Sequence, residues 1–452
     1  MHDLFFEYAL LPQGWTKQVR LGIDCEGNIH RVDIGSKAAG ARAYPNPVVA
    51  GMPNLHCHAF QRALAGLTEY RNPNTPDNFW SWRTQMYRLA KRITPEQLRV
   101  IASQLYIEML KSGFTCVGEF HYLHHDTQGH PYKQPYMSEA IIEAAEISGI
   151  NLTLLPVLYM QAGLNSNDNN SIQQRFYYDP EHYLALIQQL QTLQSPRLRI
   201  GIAPHSLRTV PSEPLISVVK AFTQMDQQGP IHIHIAEQQQ EVKEFFAHHN
   251  QRPVDWLLEH LPVDQRWCLI HATHLNTQEC TDLARSGAIA GLCPTTEANL
   301  GDGLFRLPEF IQAQGRFGVG SDSNCSVSAT EELRWLEYGQ RLVHQRRNIA
   351  STPQQIHTGT FLWQHALAGG AQALGQTTGR IDVGYRADLL VLNRQQQSLH
   401  PKYYLDNLLF NSHNTDISTV LVAGQEVILN GHHAQEEKIA TEFATVMNAL
   451  SR

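Results

Sequence analysis

The chain has 452 residues, 42% hydrophobic and 17% charged, enough apolar material for a sizeable core and more than one structural unit. A formal charge of -7 gives no basic field for nucleic acid, and no Lys/Arg run suggests a membrane surface. Residues 1–20 lack a secretion-signal pattern, no run approaches bilayer-spanning length, and seven scattered cysteines form no C-x-x-C pair, so the expectation is a cytoplasmic protein with reduced core thiols, no nucleic-acid partner and no membrane contact.

In chain order, "FEYALLP" (6–12) and "VRLGIDCEGNIHRVDIG" (19–35) read as short antiparallel strands, the latter turning at Glu26-Gly27-Asn28. From about residue 50 to 325, eight short apolar runs follow: 50–58, 115–123, 151–160, 198–207, 230–238, 266–274, 288–296 and 316–324. Between them lie helical patterns, such as Ile101, Leu105 and Met109 ended by Gly113, and "EHYLALIQQLQTL" (181–193). "NSNDNNS" (165–171) reads as a loop insertion after the third run. Strand and helix alternating eight times predicts an α/β fold, a parallel (β/α)8 TIM-like barrel; an open doubly wound sheet is the alternative. Beyond it, "DLLVLN" (388–393) and a hairpin in "STVLVAGQEVILNG" (418–431) return to short strands, and "ATEFATVMNALSR" (440–452) reads as a closing helix. The predicted organisation is a barrel over 49–375 and a small β-rich domain assembled from both termini, 1–48 and 376–452.

Polar groups gather at the C-terminal ends of these runs, the face on which such barrels carry their sites. His56 and His58 in "NLHCH" point to one side of a strand. In "IHIHIAEQ", His232 and His234 share a face and His234 is nearer the strand end, while Glu237 must reach in from the loop. "GVGSDSN" allows close backbone approach at Gly318 and Gly320 and presents Asp322. Three neutral imidazoles and one carboxylate leave a divalent cation net positive, a donor set suited to one zinc ion per chain with a position open for water. His271 and Glu237 remain as proton-handling groups. Each group also has a plainer reading: a structural His pair, Asp322 as a helix cap, Glu237 as a first-turn helix acid.

His-x-His after the first run, His-x-x-Glu after the fifth, His after the sixth and Asp after the eighth resemble the mononuclear amidohydrolase superfamily, a family of metal-dependent hydrolase barrels, in its cytosine and adenosine deaminase-like branches. "GRIDVGYRADLLVLN" (379–393) resembles the re-entry of the chain into that family's small β domain. "MPNLHCHAFQRALAG", "FWSWRTQMYRLA", "EFHYLHHD", "HIHIAEQ", "CPTTEANLGDG" and "EELRWLEYGQRL" are similar to the formimidoylglutamate deiminase family of bacterial histidine degradation. The resemblance implies hydrolysis of N-formimino-L-glutamate to N-formyl-L-glutamate and ammonia, with His56, His58, His234 and Asp322 on the metal and Glu237, His271 and Asp322 as catalytic groups.

A substrate with two carboxylates needs cations, for which Arg83 in "FWSWR" and Arg208 in "PHSLR" are best placed; an ordinary ion pair is the alternative for each. By resemblance, Gln61, Tyr122 and His205 join them around the glutamate portion. His121, His124, His125 and Asp126 are expected to shape the pocket rather than hold a second metal, and "CPTTEANLGDG" (293–303) to form a further wall, with Glu297 alternatively a structural hydrogen-bond partner. Rival functions are a related deaminase of a nucleobase or other amidine, and a catalytically silent barrel serving as a binding protein. All six metal and proton-transfer positions are present, against the silent reading. The apolar stripe of "EELRWLEYGQRLVHQRR" suits a homodimer.

Overall fold

The computed structural model describes residues 1–70, 77–164, 173–393, 400–411 and 416–451. The expected loop at 165–171 lies outside these residues. Eight parallel positions form the barrel: Met52–Cys57, Phe114–His121, Asn151–Leu158, the two short pieces Leu198–Ile200 and Ala203–Pro204, Ile231–Ile235, Trp267–His271, Ile289–Leu292 and Arg316–Val319. Strands one to four pair in one sheet and five to eight in another. The halves meet at two seams. At one, His232 N donates to Ile202 O and His234 N to His205 O, both at 3.0 Å. At the other, His58 N donates to Asp322 O and Asp322 N to His56 O, again at 3.0 Å. The sheet therefore closes on itself, and the doubly wound alternative falls away.

The strands are rich in apolar residues because both faces are covered: every residue of Phe114–His121 and of Asn151–Leu158 is buried. Surrounding helices start where caps dictate. Thr94 and Gln97 form a reciprocal capping box before Pro95–Lys111, and Asn276 and Glu279 another before Thr277–Ser286. Among the described residues, no helix is long and apolar enough to cross a membrane.

Strands from both chain ends share one nine-stranded sheet. The N-terminal hairpin His2–Leu11 and Gly14–Ile23 leads to Ile29–Ile34, and Val48–Ala50 pairs antiparallel with Leu389–Leu392 of the returning chain. Asp388 fixes this sheet to the barrel, accepting from Asn151 Nδ2 (2.9 Å), Thr378 Oγ1 (2.7 Å) and Ala423 N (2.9 Å). The last helix, Glu436–Leu450, is tied to the barrel through the Lys111–Glu436 ion pair and Arg92 Nη2 donating to Ala449 O (3.1 Å). All seven cysteines are free and five are buried; Cys25 is exposed and Cys325 half-buried, so the expected core placement fails for these two.

The helix Thr358–Leu374 lies directly on the seam. A Cβ at Gly369 would stand 1.9 Å from Phe317 O, and one at Gly318 only 2.8 Å from Gly370 N. Gly320 packs equally tightly on the backbone of His56, which explains the glycines of "GVGSD". Gly369→Ala is expected to destabilise the fold by about 1–3 kcal/mol through overpacking, despite the better helix propensity of alanine. A lower urea-unfolding midpoint is the expected result; an unchanged midpoint would contradict this packing.

Candidate active site

Three imidazoles converge at the C-terminal mouth of the barrel. His56 Nε2 lies 3.1 Å from both His58 Nε2 and His234 Nε2, and Asp322 Oδ1 is 3.3 Å from the first two. All four ligand atoms lie within 4.8 Å of one another, and all four residues are buried. Atoms bound at about 2.0–2.2 Å to one ion stand roughly 3–4 Å apart, so the set fits a central cation.

Tautomers support the same conclusion. His58 Nδ1 donates to Phe120 O (2.9 Å) and His234 Nδ1 to His205 O (3.2 Å), which leaves each Nε2 without a proton and its lone pair turned inward. Burial, followed by repulsion among the rings, holds His234 well below the ordinary histidine range. Burial also brings His56 down to about 3. Neutral imidazoles facing one another are mutually repulsive, and a cation between them resolves the conflict.

His56 and His58 stand on one side of the seam between the first and eighth strands and Asp322 on the other, and polar side chains lock it. Asn54 Nδ2 donates to Ser321 Oγ (2.7 Å), while Asn324 Nδ2 donates to His58 O (3.0 Å) and Asp322 O (2.9 Å). Asp322 and His271 occupy left-handed backbone, with φ of 46° and 69°. Ala236, at φ 52°, turns the chain so that Glu237 enters the site despite its odd position relative to His234.

Glu237 Oε1 lies 3.6 Å from His271 Nε2, which is 3.8 Å from Asp322 Oδ2. His271 Nδ1 faces Glu297 Oε1 at 3.3 Å, and the same oxygen accepts from Cys293 N (2.9 Å). Burial opposes charge on His271, but Glu237, Glu297 and Asp322 push it up to about 10. Burial raises Glu237, reinforced by Glu241 and Asp322 and opposed by His271 and Arg208. Arg208 is itself buried, 3.8 Å from both Glu237 and Glu241.

A cavity open to solvent is lined by His58, His234, Asp322, Glu237, His271, Gln61, Tyr122, His205, Arg83 and Arg208. His56 sits behind them, fully buried. Gln61 Nε2 donates to Tyr122 Oη (2.9 Å). Arg83 stacks over Trp80 and Tyr87 and makes no ion pair among the described residues. His232 is directed elsewhere, onto Ala373 O (2.7 Å). His124 and His125 donate to the carbonyls of Val157 (2.9 Å) and Tyr177 (2.7 Å), so neither joins a metal set. Sequence reasoning did not single out Tyr87, Tyr159, Glu241, Asp302, Asn54 or Asn324. The runs "AEQQQE" and "TEANLGD" held a signal, since acids placed directly after barrel strands face the mouth.

A formimidoylglutamate deiminase of Pseudomonas aeruginosa is 48% identical over the full length of both chains. Residues 48–427 match the amidohydrolase family, and residues 1–43 match the N-terminal domain of formimidoylglutamate deiminase HutF. The chain belongs to the amidohydrolase family, among the formimidoylglutamate deiminases. A 5-methylthioadenosine/S-adenosylhomocysteine deaminase of Natronomonas pharaonis is 25% identical, with 87% of this chain and 85% of that one covered. An amidohydrolase structure from Brucella melitensis matches with TM-score 0.94 and 42% identity over the whole of both chains. An adenosine deaminase from Xanthomonas campestris with bound zinc shares the fold, with TM-score 0.81 and 20% identity over 99% of this chain and 98% of that one.

His56→Ala and His234→Ala should each weaken retention of a divalent ion by more than the roughly 10–100-fold typical of losing an outer partner. Glu237→Gln should retain it. Metal content after dialysis, measured by plasma mass spectrometry, tests this; equal retention in all three variants would remove the His/Asp set as the metal site.

Proposed function

We propose that this protein hydrolyses N-formimino-L-glutamate to N-formyl-L-glutamate and ammonia, a step of histidine degradation in the cytoplasm. The observation that carries the reading is one cavity holding a His/His/His/Asp cage, a buried Glu–His pair and two guanidinium groups. Full-length similarity to a formimidoylglutamate deiminase supports the substrate. In this reading one zinc ion per chain is held by His56, His58, His234 and Asp322. The zinc, when bound, supplies Lewis acidity and lowers the pKa of water toward neutrality.

His271 Nε2, kept charged by the carboxylates around it, orients the attacking water, and Asp322 takes the proton of that water. Addition at the formimino carbon builds a tetrahedral centre carrying two nitrogens. Glu237, made a better proton carrier by burial, protonates the formimino nitrogen as water adds, then regains a proton from the new hydroxyl; the proton held by Asp322 passes to the same nitrogen as its bond to carbon breaks, so ammonia leaves with both protons of the water. Glu297 holds His271 from the other ring nitrogen and keeps Nε2 toward the reacting atoms.

The substrate carboxylates require desolvated cations. Arg83, held over aromatic rings without a carboxylate partner among the described residues, offers one; Arg208 offers the second. Gln61, Tyr122 and His205 complete the glutamate side. The small β domain, in this reading 1–48 with 376–452, frames the 49–375 barrel. Exposed Trp335, Tyr338, Leu342 and Val343 on the helix Ala329–His344 support a homodimer on that face.

Wild-type protein loaded with zinc should release ammonia and formylglutamate from formiminoglutamate, and Glu237→Gln should abolish turnover. Glutamate with formamide instead would reverse the leaving group, and no product would defeat the reading. Arg208→Met should raise KM far more for formiminoglutamate than for an uncharged amidine; an equal change for both would refute carboxylate recognition by Arg208.

A further inference from the structure

Beside Glu237, and not among the cavity-lining residues, lies a carboxyl group that the reaction above leaves unused. Asp302 follows the helix Pro294–Leu300 in a turn whose flanking glycines, Gly301 and Gly303, have φ of 71° and 137°. Its backbone is fixed, N donating to Glu297 O (2.9 Å) and O accepting from His274 Nε2 (2.9 Å). Its Oδ1 accepts from Gln238 Nε2, next to Glu237 in the chain. Its Oδ2 is buried with no hydrogen-bond partner among the described residues, and the whole residue is 6% exposed. An Asp302 oxygen, a Glu237 oxygen and a His271 ring nitrogen all lie within 4.8 Å of one another.

A buried carboxylate oxygen without a donor is costly, whereas the neutral acid carries a donor of its own. The charged groups around Asp302 are Glu237, Glu297 and Asp322 of its own sign and His271 of the opposite sign. Burial first, and then the charge of Glu237, push Asp302 up to about 9.

We propose that Asp302 is a positioning residue for Glu237, held as a neutral carboxylic acid whose O–H is directed at the Glu237 carboxylate. The inference rests on the functional reading above. Glu237 gives its proton to the formimino nitrogen as water adds and regains one from the new hydroxyl as the C–N bond breaks and its electron pair leaves with ammonia. Asp302 keeps its proton throughout and hydrogen-bonds the carboxylate that Glu237 becomes. The chemistry thus gains a fixed donor where negative charge appears.

The test compares zinc-loaded wild type, Asp302→Ala and Asp302→Asn with formiminoglutamate. The alanine variant should lose kcat roughly 10–100-fold, the range for a hydrogen bond to a charged group, with KM and zinc content little changed. Asparagine can accept from Gln238 and donate to Glu237, so Asp302→Asn should recover most of that loss. An asparagine variant as impaired as the alanine variant would mean that a negative charge is needed, and full activity in the alanine variant would mean no role; either overturns the proposal. An infrared difference spectrum of wild type against Asp302→Asn at neutral pH supplies a readout without turnover. It should show the C=O stretch of a protonated carboxylic acid, and its absence overturns the proposal even if the alanine variant does not fold. A wild type that shows the band but releases no ammonia would sink the functional reading while leaving the protonated Asp302 in place.

Discussion

The structure depends on holding three imidazole Nε2 atoms and a carboxylate oxygen at 3.1–3.3 Å contacts inside a buried mouth. Such groups repel one another unless a cation joins them, so the scaffold must impose the arrangement rather than be drawn into it. It does so at the seam between the first and eighth barrel strands. There the backbone bonds of His56 and His58 to Asp322 close the barrel and place three of the four converging groups in a single step. Asn54, Ser321 and Asn324 brace the seam from within, and Gly318 and Gly320 let the backbones approach. The left-handed backbone of Asp322 and His271 is tolerated because packing on all sides over-determines it.

The two half-barrels bring different side chains to the mouth. Loops and strand ends of the first half carry Gln61, Tyr122, Tyr159, His205 and Arg208, with Arg83 on the helix Phe79–Ala90. Those of the second half carry Glu237, His271, Asp302 and Asp322, with Glu241 and Glu297 in the first turns of the helices that follow the fifth and seventh strands. Aromatic and cationic groups thus face a wall of carboxylates across the cage. The two sides of the mouth present groups of different charge and chemistry. Arg208 and Glu237 touch across the second seam and couple the two halves.

Much of this was legible in the chain. The eight runs, their order and the polar residue at each tip follow from alternation and strand parity, so His56, His58, His234, His271 and Asp322 could be named before any coordinates. Glu237 was legible by its position just past the fifth strand, although parity alone points it away; the turn at Ala236 supplies the correction. Asp302 and Glu241 were not legible. Each looks like an ordinary acid near a helix end, and only burial beside other carboxylates gives either a distinct protonation or pairing. Cys25 was misplaced for a related reason, since a turn residue between strands carries no periodic signal of its side.

By itself the sequence determined which residue types stand at the strand tips, because side-chain parity along a strand is a local property of the backbone. It also determined the composition of the cage, since three histidines and an aspartate at those tips already define a donor set. Closure of the sheet, and with it the 3.1 Å approach of His56 to His234 across 178 residues of chain, was decided only by tertiary structure. Local propensity carries no information on such separations. They are set by packing the helix Thr358–Leu374 onto the seam and by joining two half-sheets whose pairing partners lie far apart in the chain.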